Sequence, residues 1–115
     1  MALSLNEYQT AALASASYPS LGHNMVYPSL GMVGEAGEVA EKVKKYWRNH
    51  GVTDASGLTA GQRQELGKEI GDVMWYCAAL AWELGLKLDE IGQGNIDKLT
   101  DRHKRGVIKS EGDNR

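Results

Sequence analysis

The chain has 115 residues, 42% of them hydrophobic and 24% charged, so a single soluble domain with one core is expected. A formal net charge of −2 excludes the broad basic field that a nucleic-acid polymer requires. Cys77 is the only cysteine, which excludes an intrachain disulfide and reads as a core thiol in a reducing compartment. No signal peptide and no membrane-length apolar stretch stands out, so the cytoplasm is the expected location.

In chain order, the pattern predicts four helices. Ser4 with Glu7 forms a capping box, and a first helix follows from Leu5 to about Ser17. Tyr18-Pro-Ser-Leu21 then recurs as Tyr27-Pro-Ser-Leu30, an echo too short to imply a structural repeat. Pro28 suits a first helical turn and Ser29 can cap one. A second helix is predicted from near Leu30 to Asn49, with Val33, Ala36, Ala40, Val43 and Trp47 on one apolar stripe. Gly51 ends it, and residues 51–61 read as a polar loop.

Thr59 with Gln62 offers a second capping box for a helix over roughly Ala60 to Leu84. Leu66, Ile70, Val73, Met74, Cys77, Leu80, Ala81 and Leu84 give that helix the widest apolar face in the chain. Gly85 stops it. A fourth helix is predicted from Asp89 to about Arg105, with Ile91, Ile96 and Leu99 inward and Gly92 and Gly94 weakening its first turns. No segment alternates with period two. Four amphipathic helices on short links predict an all-α, antiparallel four-helix bundle over residues 1–105, followed by a polar tail at 106–115.

Two acidic pairs share one spacing. Glu35-x-x-Glu38 puts two carboxylates on adjacent turns of the second helix, off the centre of its apolar stripe, and Glu69-x-x-Asp72 repeats this on the third. Such pairs also occur on plain solvated surfaces, where Glu38–Lys42 and Glu41–Lys45 make i,i+4 partners. Gly37 and Gly71 sit inside the two pairs at a helix-propensity cost of roughly 1 kcal/mol each, which allows close approach or leaves room beside the carboxylates. Four carboxylates converging between helices repel one another and lose hydration, so they call for a cation. All-oxygen ligation suits Mg²⁺ or Mn²⁺, hard ions that also bind substrate phosphates. His23, His50 and His103 lie in no Glu-x-x-His pair, so a di-iron site is not indicated.

This pattern resembles the E-E-x-x-E … E-x-x-D signature of the MazG-like all-α nucleoside triphosphate pyrophosphohydrolases. The family context appears here as Gly31-Met-Val-Gly-Glu-Ala-Gly-Glu-Val39, and a Lys and Arg four apart on the last helix as Lys98 and Arg102. The resemblance spans roughly Leu30 to Arg105. One departure is plain: the first Glu of the family doublet is Gly34 here, and Glu41, one turn beyond Glu38, is either a substitute for it or a surface residue.

The resemblance implies hydrolysis of a nucleoside triphosphate to the monophosphate and pyrophosphate. Glu35, Glu38, Glu69 and Asp72 would hold the metal, and a water held at the carboxylates would attack phosphorus in line, with Glu38 taking its proton and Glu35 beside it. Lys98 and Arg102 would hold the outer phosphates, joined by Asn95 one turn earlier. For the base, Trp47, Tyr76 and His23 are the candidates, with Trp75 and Tyr27 nearby in sequence; Trp82 reads as core or interface. The uncovered apolar flanks, and the resemblance, predict a homodimer or homotetramer. The rival readings are a relative specialised for dUTP or dCTP, and a non-catalytic partner-binding helical bundle.

Overall fold

The computed structural model describes residues 2–106. It is all-helical among these residues: α1 spans Leu5–Ala14, α2 Val26–His50, α3 Ala60–Glu83 and α4 Leu88–Arg105, with a short 3-10 turn at Ala55–Gly57. The polar tail beyond Gly106 lies outside the described residues.

Local chemistry accounts for most helix ends. Ser4 Oγ accepts from Glu7 N while Glu7 returns a bond to Ser4 N, and Thr59 and Gln62 do the same for α3. Each cap contributes about 1 kcal/mol. Gly51 and Gly85 close α2 and α3 with φ of +66° and +73°, the left-handed region where a side chain is costly.

Two ends differ from expectation. The first helix stops at Ala14, before Ser17. The second begins a turn early, at Val26, because Asn24 Oδ1 accepts from both Val26 N and Tyr27 N. Asn24 thus takes the role expected of Ser29, whose hydroxyl instead donates back to Met25 O. The start of α4 is capped from afar: Leu88 N donates to Gln9 Oε1 and Asp89 N to Asn6 Oδ1, both from α1.

Helices α2 and α3 form the main pair and run in opposite senses, with Gly31 against Tyr76, Met32 against Cys77 and Lys42 near Glu69. A Cβ at Gly31 would overlap the Tyr76 ring, so glycine there lets the ring lie on the α2 backbone. Helix α1 packs on α3 through buried Gln9, which donates to Ala78 O and Leu86 O, and through Trp75 Nε1, which donates to Ala12 O. The buried apolar residues are mainly small ones, Ala12, Ala78, Ala79 and Ala81, with Tyr18 and Pro28.

The large apolar residues tell a different story. The α2 stripe of Val33, Ala36, Ala40, Val43 and Trp47 is exposed; Val33 is 67% exposed and Trp47 60%. The opposite face of α2, carrying Glu35 and Lys42, meets α3 instead. On α4, Ile91, Ile96 and Leu99 are also exposed, which corrects their expected inward orientation within one chain. The reason is tertiary: α4 joins the rest of the molecule chiefly through α1, where Leu5 lies against Gly92. No helix among the described residues is long and apolar enough to cross a membrane.

Candidate metal centre

The spacing of the acidic pairs places Glu35 on α2 and Glu69 and Asp72 on α3 across one helix–helix contact. One carboxylate oxygen from each lies within 4.8 Å of the others. Glu35 and Glu69 are half-buried and Asp72 is exposed. Burial pushes the Glu35 carboxyl above its ordinary value, and the charges of Asp72, Glu69 and Glu38 push it further. Lys42 Nζ, 3.9 Å from Glu69, offsets part of this negative charge. The donor set is three carboxylates with no histidine or thiol, which fits a hard, oxygen-loving divalent cation and not a soft one.

Glu38 stands apart from this trio. It is exposed on α2 and reaches Glu35 through its field. Its expected partner Lys42 pairs with Glu69 instead. Glu41 pairs with Lys44 at 3.0 Å and Lys45 at 3.9 Å and lies outside the trio, so in this structure it does not stand in for the carboxylate missing at Gly34.

An aromatic ring of four side chains adjoins the carboxylates. Glu35, Asp72, Trp75 and Tyr76 line a cleft of about 320 Å³. Tyr76 is edge-on to Trp75 with centroids 5.1 Å apart, and tilted against Tyr27 at 6.4 Å. Tyr27 stacks on Tyr18 at 5.1 Å, and Tyr18 closes the circuit edge-on to Trp75 at 6.4 Å. The short Tyr-Pro-Ser-Leu echo therefore brings its two tyrosines face to face. Beyond that echo neither Tyr18 nor its hydrogen-bond partner Glu83 carries a sequence signal of function. Tyr8 of α1 is a further neighbour: burial raises its phenol, and Asp72 and Cys77 add to the rise.

The other candidates lie elsewhere. Trp47 lines a separate apolar cleft of about 370 Å³ with Val43, Tyr46, Val52, Leu58 and Leu66. His23 is exposed on the linker between α1 and α2. Asn95 lines a groove with Leu5, Asp89 and Ile96. Lys98 is exposed; Arg102 is half-buried, and its Nε has no hydrogen-bond partner among the described residues. Among those residues no ion pair joins Lys98 or Arg102 to the carboxylate trio. One chain therefore brings Glu35, Glu69, Asp72 and Tyr76 together, while Trp47 and Asn95 line other clefts.

Comparison with known proteins places the chain in a family. The chain is 46% identical over 114 residues to the Gene 37 protein of Mycobacterium phage L5, covering 94% of this chain and 96% of that one. It is 38% identical over 69 residues to the uncharacterized protein YvdC of Bacillus subtilis (strain 168), covering 59% of this chain and 65% of that one. No solved structure matches it significantly. The model of the MazG nucleotide pyrophosphohydrolase domain matches residues 28–107, the stretch that carries both acidic pairs and α4. The chain belongs to the MazG nucleotide pyrophosphohydrolase domain family.

Proposed function

We propose that this protein is a Mg²⁺-dependent nucleoside triphosphate pyrophosphohydrolase, converting (d)NTP to (d)NMP and pyrophosphate in nucleotide-pool housecleaning in the cytoplasm. The observation that carries this reading is the convergence of Glu35, Glu69 and Asp72 in a chain of this family. A bound Mg²⁺, or Mn²⁺ in its place, neutralises charge on the phosphate oxygens.

The chain's own residues do the rest. Glu35, Glu69 and Asp72 hold the ion, and Glu38, one turn along α2, serves as the fourth carboxylate. Glu38 also accepts the proton of the attacking water as the new P–O bond forms and pyrophosphate leaves. The face of Tyr76 receives the base beside the carboxylates, supported by Trp75 and Tyr27.

Lys98, Arg102 and Asn95 bind the outer phosphates of a site walled by a neighbouring copy, in a homodimer or homotetramer that completes an antiparallel bundle. Two observations support the assembly. The radius of gyration is 17.0 Å, against about 13 Å for a compact chain of this length. Apolar residues on α2 and α4, Leu30, Val33, Ile91 and Ile96 among them, are exposed in one chain.

Pyrophosphate release from a panel of canonical and damaged nucleoside triphosphates with Mg²⁺ tests the activity. Turnover confined to dUTP or dCTP makes the protein a pyrimidine specialist; none with any substrate overturns the proposal. Arg102→Ala is expected to lower triphosphate affinity about tenfold or more while leaving the melting temperature near the parent's, with partial rescue by Arg102→Lys. Equal kinetics for all three proteins return Arg102 to the solvated surface. Light scattering tests the assembly: a fully active monomer removes the shared site.

A further inference from the structure

We propose that Glu83, at the end of α3, is a positioning residue that sets the aromatic ring beside the carboxylates. The inference rests on the reading of that site as a nucleotide site. Glu83 gathers the linker between α1 and α2 onto one carboxylate. Its Oε2 accepts from Tyr18 Oη at 2.5 Å and from Gly22 N at 2.9 Å, and its Oε1 from Asn24 N at 3.0 Å.

Each bond fixes something different. The Tyr18 bond orients the phenol whose ring stacks on Tyr27 and meets Trp75 edge-on. The Gly22 bond holds a turn whose φ of +88° admits glycine readily and a side chain poorly. The Asn24 bond holds the residue that caps α2, and that cap accepts from Tyr27 N. Tyr27 is thus fixed twice, through its backbone by Asn24 and through its ring by Tyr18. Tyr27 leans on Tyr76, and Tyr76 lines the cleft with Glu35 and Asp72. Glu83 touches none of the proposed reacting groups, but it fastens three points of the linker whose tyrosines lean on the cleft's Trp75 and Tyr76.

The test separates the base from the phosphates. Glu83→Ala is expected to raise KM for a hydrolysed nucleoside triphosphate about tenfold, with kcat within about twofold of the parent, because charge-assisted bonds to the wall are lost and the carboxylates are not. Affinity for inorganic tripolyphosphate with Mg²⁺, which has no base, is expected to be unchanged. Glu83→Gln keeps one acceptor oxygen and is expected to fall between parent and Ala. Tyr18→Phe removes a single bond, keeps the stack, and is expected to show a smaller KM rise in a protein that folds.

Parent-like KM in Glu83→Ala, or an equal loss of tripolyphosphate affinity, overturns the proposal. If Glu83→Ala does not fold, a parent-like KM in Tyr18→Phe overturns it. A parent that hydrolyses no nucleotide overturns the function instead. The positioning of the ring is then read from the near-ultraviolet circular dichroism of the aromatic residues, which Glu83→Gln must weaken if Glu83 orders them.

Discussion

Helix α3 carries two kinds of carboxylate site about three turns apart, and they behave oppositely. At one, Glu69 and Asp72 meet Glu35, and acids face acids. At the other, Glu83 alone faces three donors. Burial and like charges hold Glu35 above its ordinary value. Burial also pushes Glu83 up, but donation from Tyr18, Asn24 and Gly22, with His23 nearby, outweighs it and leaves the carboxyl below its ordinary value. The same functional group is a fastening where hydrogen-bond donors surround it and, under the proposed function, a metal ligand where other carboxylates do. Local geometry thus distinguishes a carboxylate paired with donors inside the chain from a set of carboxylates that face one another.

Removing charge from each site is the strongest way to break this comparison. Asp72→Asn and Glu38→Gln are each expected to lower kcat about a hundredfold or more, with the helical circular dichroism spectrum retained. Parent-like turnover in both variants removes the carboxylate site. Without metal, Asp72→Asn is expected to melt higher than the parent, since it relieves repulsion on Glu35, whereas Glu83→Gln is expected to melt lower.

Adding a cation sharpens the contrast. Mg²⁺ at a hundred times its dissociation constant is expected to stabilise the parent by about 2.7 kcal/mol. The gain should survive in Glu83→Gln and shrink in Asp72→Asn, as read by thermal melts with and without EDTA. A gain equal in all three proteins places the ion elsewhere.

Gly31 lies between the two sites, under the Tyr76 ring. Gly31→Ala must displace that ring or open the α2–α3 contact, at an expected cost of about 1–3 kcal/mol in stability. Gly37→Ala, whose added methyl meets open space, is expected to be neutral or slightly stabilising, by up to about 1 kcal/mol. Equal melting temperatures for the two variants remove the proposed role of the close approach.

The smallest effect is in pH. Glu35 has a raised folded value, so its favourable contribution is present at low pH and is lost as pH rises through that value. Glu83 has a lowered folded value, so its contribution is present above the ordinary glutamate value and is lost as pH falls through the lowered one. In metal-free melts across the carboxylate range, Asp72→Asn is expected to weaken the first dependence and Glu83→Gln the second. Curves parallel to the parent's in both variants contradict the assignment.

Local chemistry in the sequence alone determined most helix ends, because caps and stops act over one turn. Ser4 with Glu7, Thr59 with Gln62, and the glycines at 51 and 85 mark ends that the structure keeps. The two acidic pairs were legible too, because a step of three on a helix sets two side chains on neighbouring turns whatever lies around them. The tertiary structure decided which helix faces meet. Periodicity shows that Val33, Val43 and Trp47 avoid water, but not what covers them; within one chain they stay exposed while the Glu35 face packs on α3. The caps that Gln9 and Asn6 lend to α4 span about 80 residues of chain. The Glu83 fastening joins a linker and a helix end with no shared motif. Such contacts depend on where distant backbone amides come to rest, and only close packing of the folded helices fixes that.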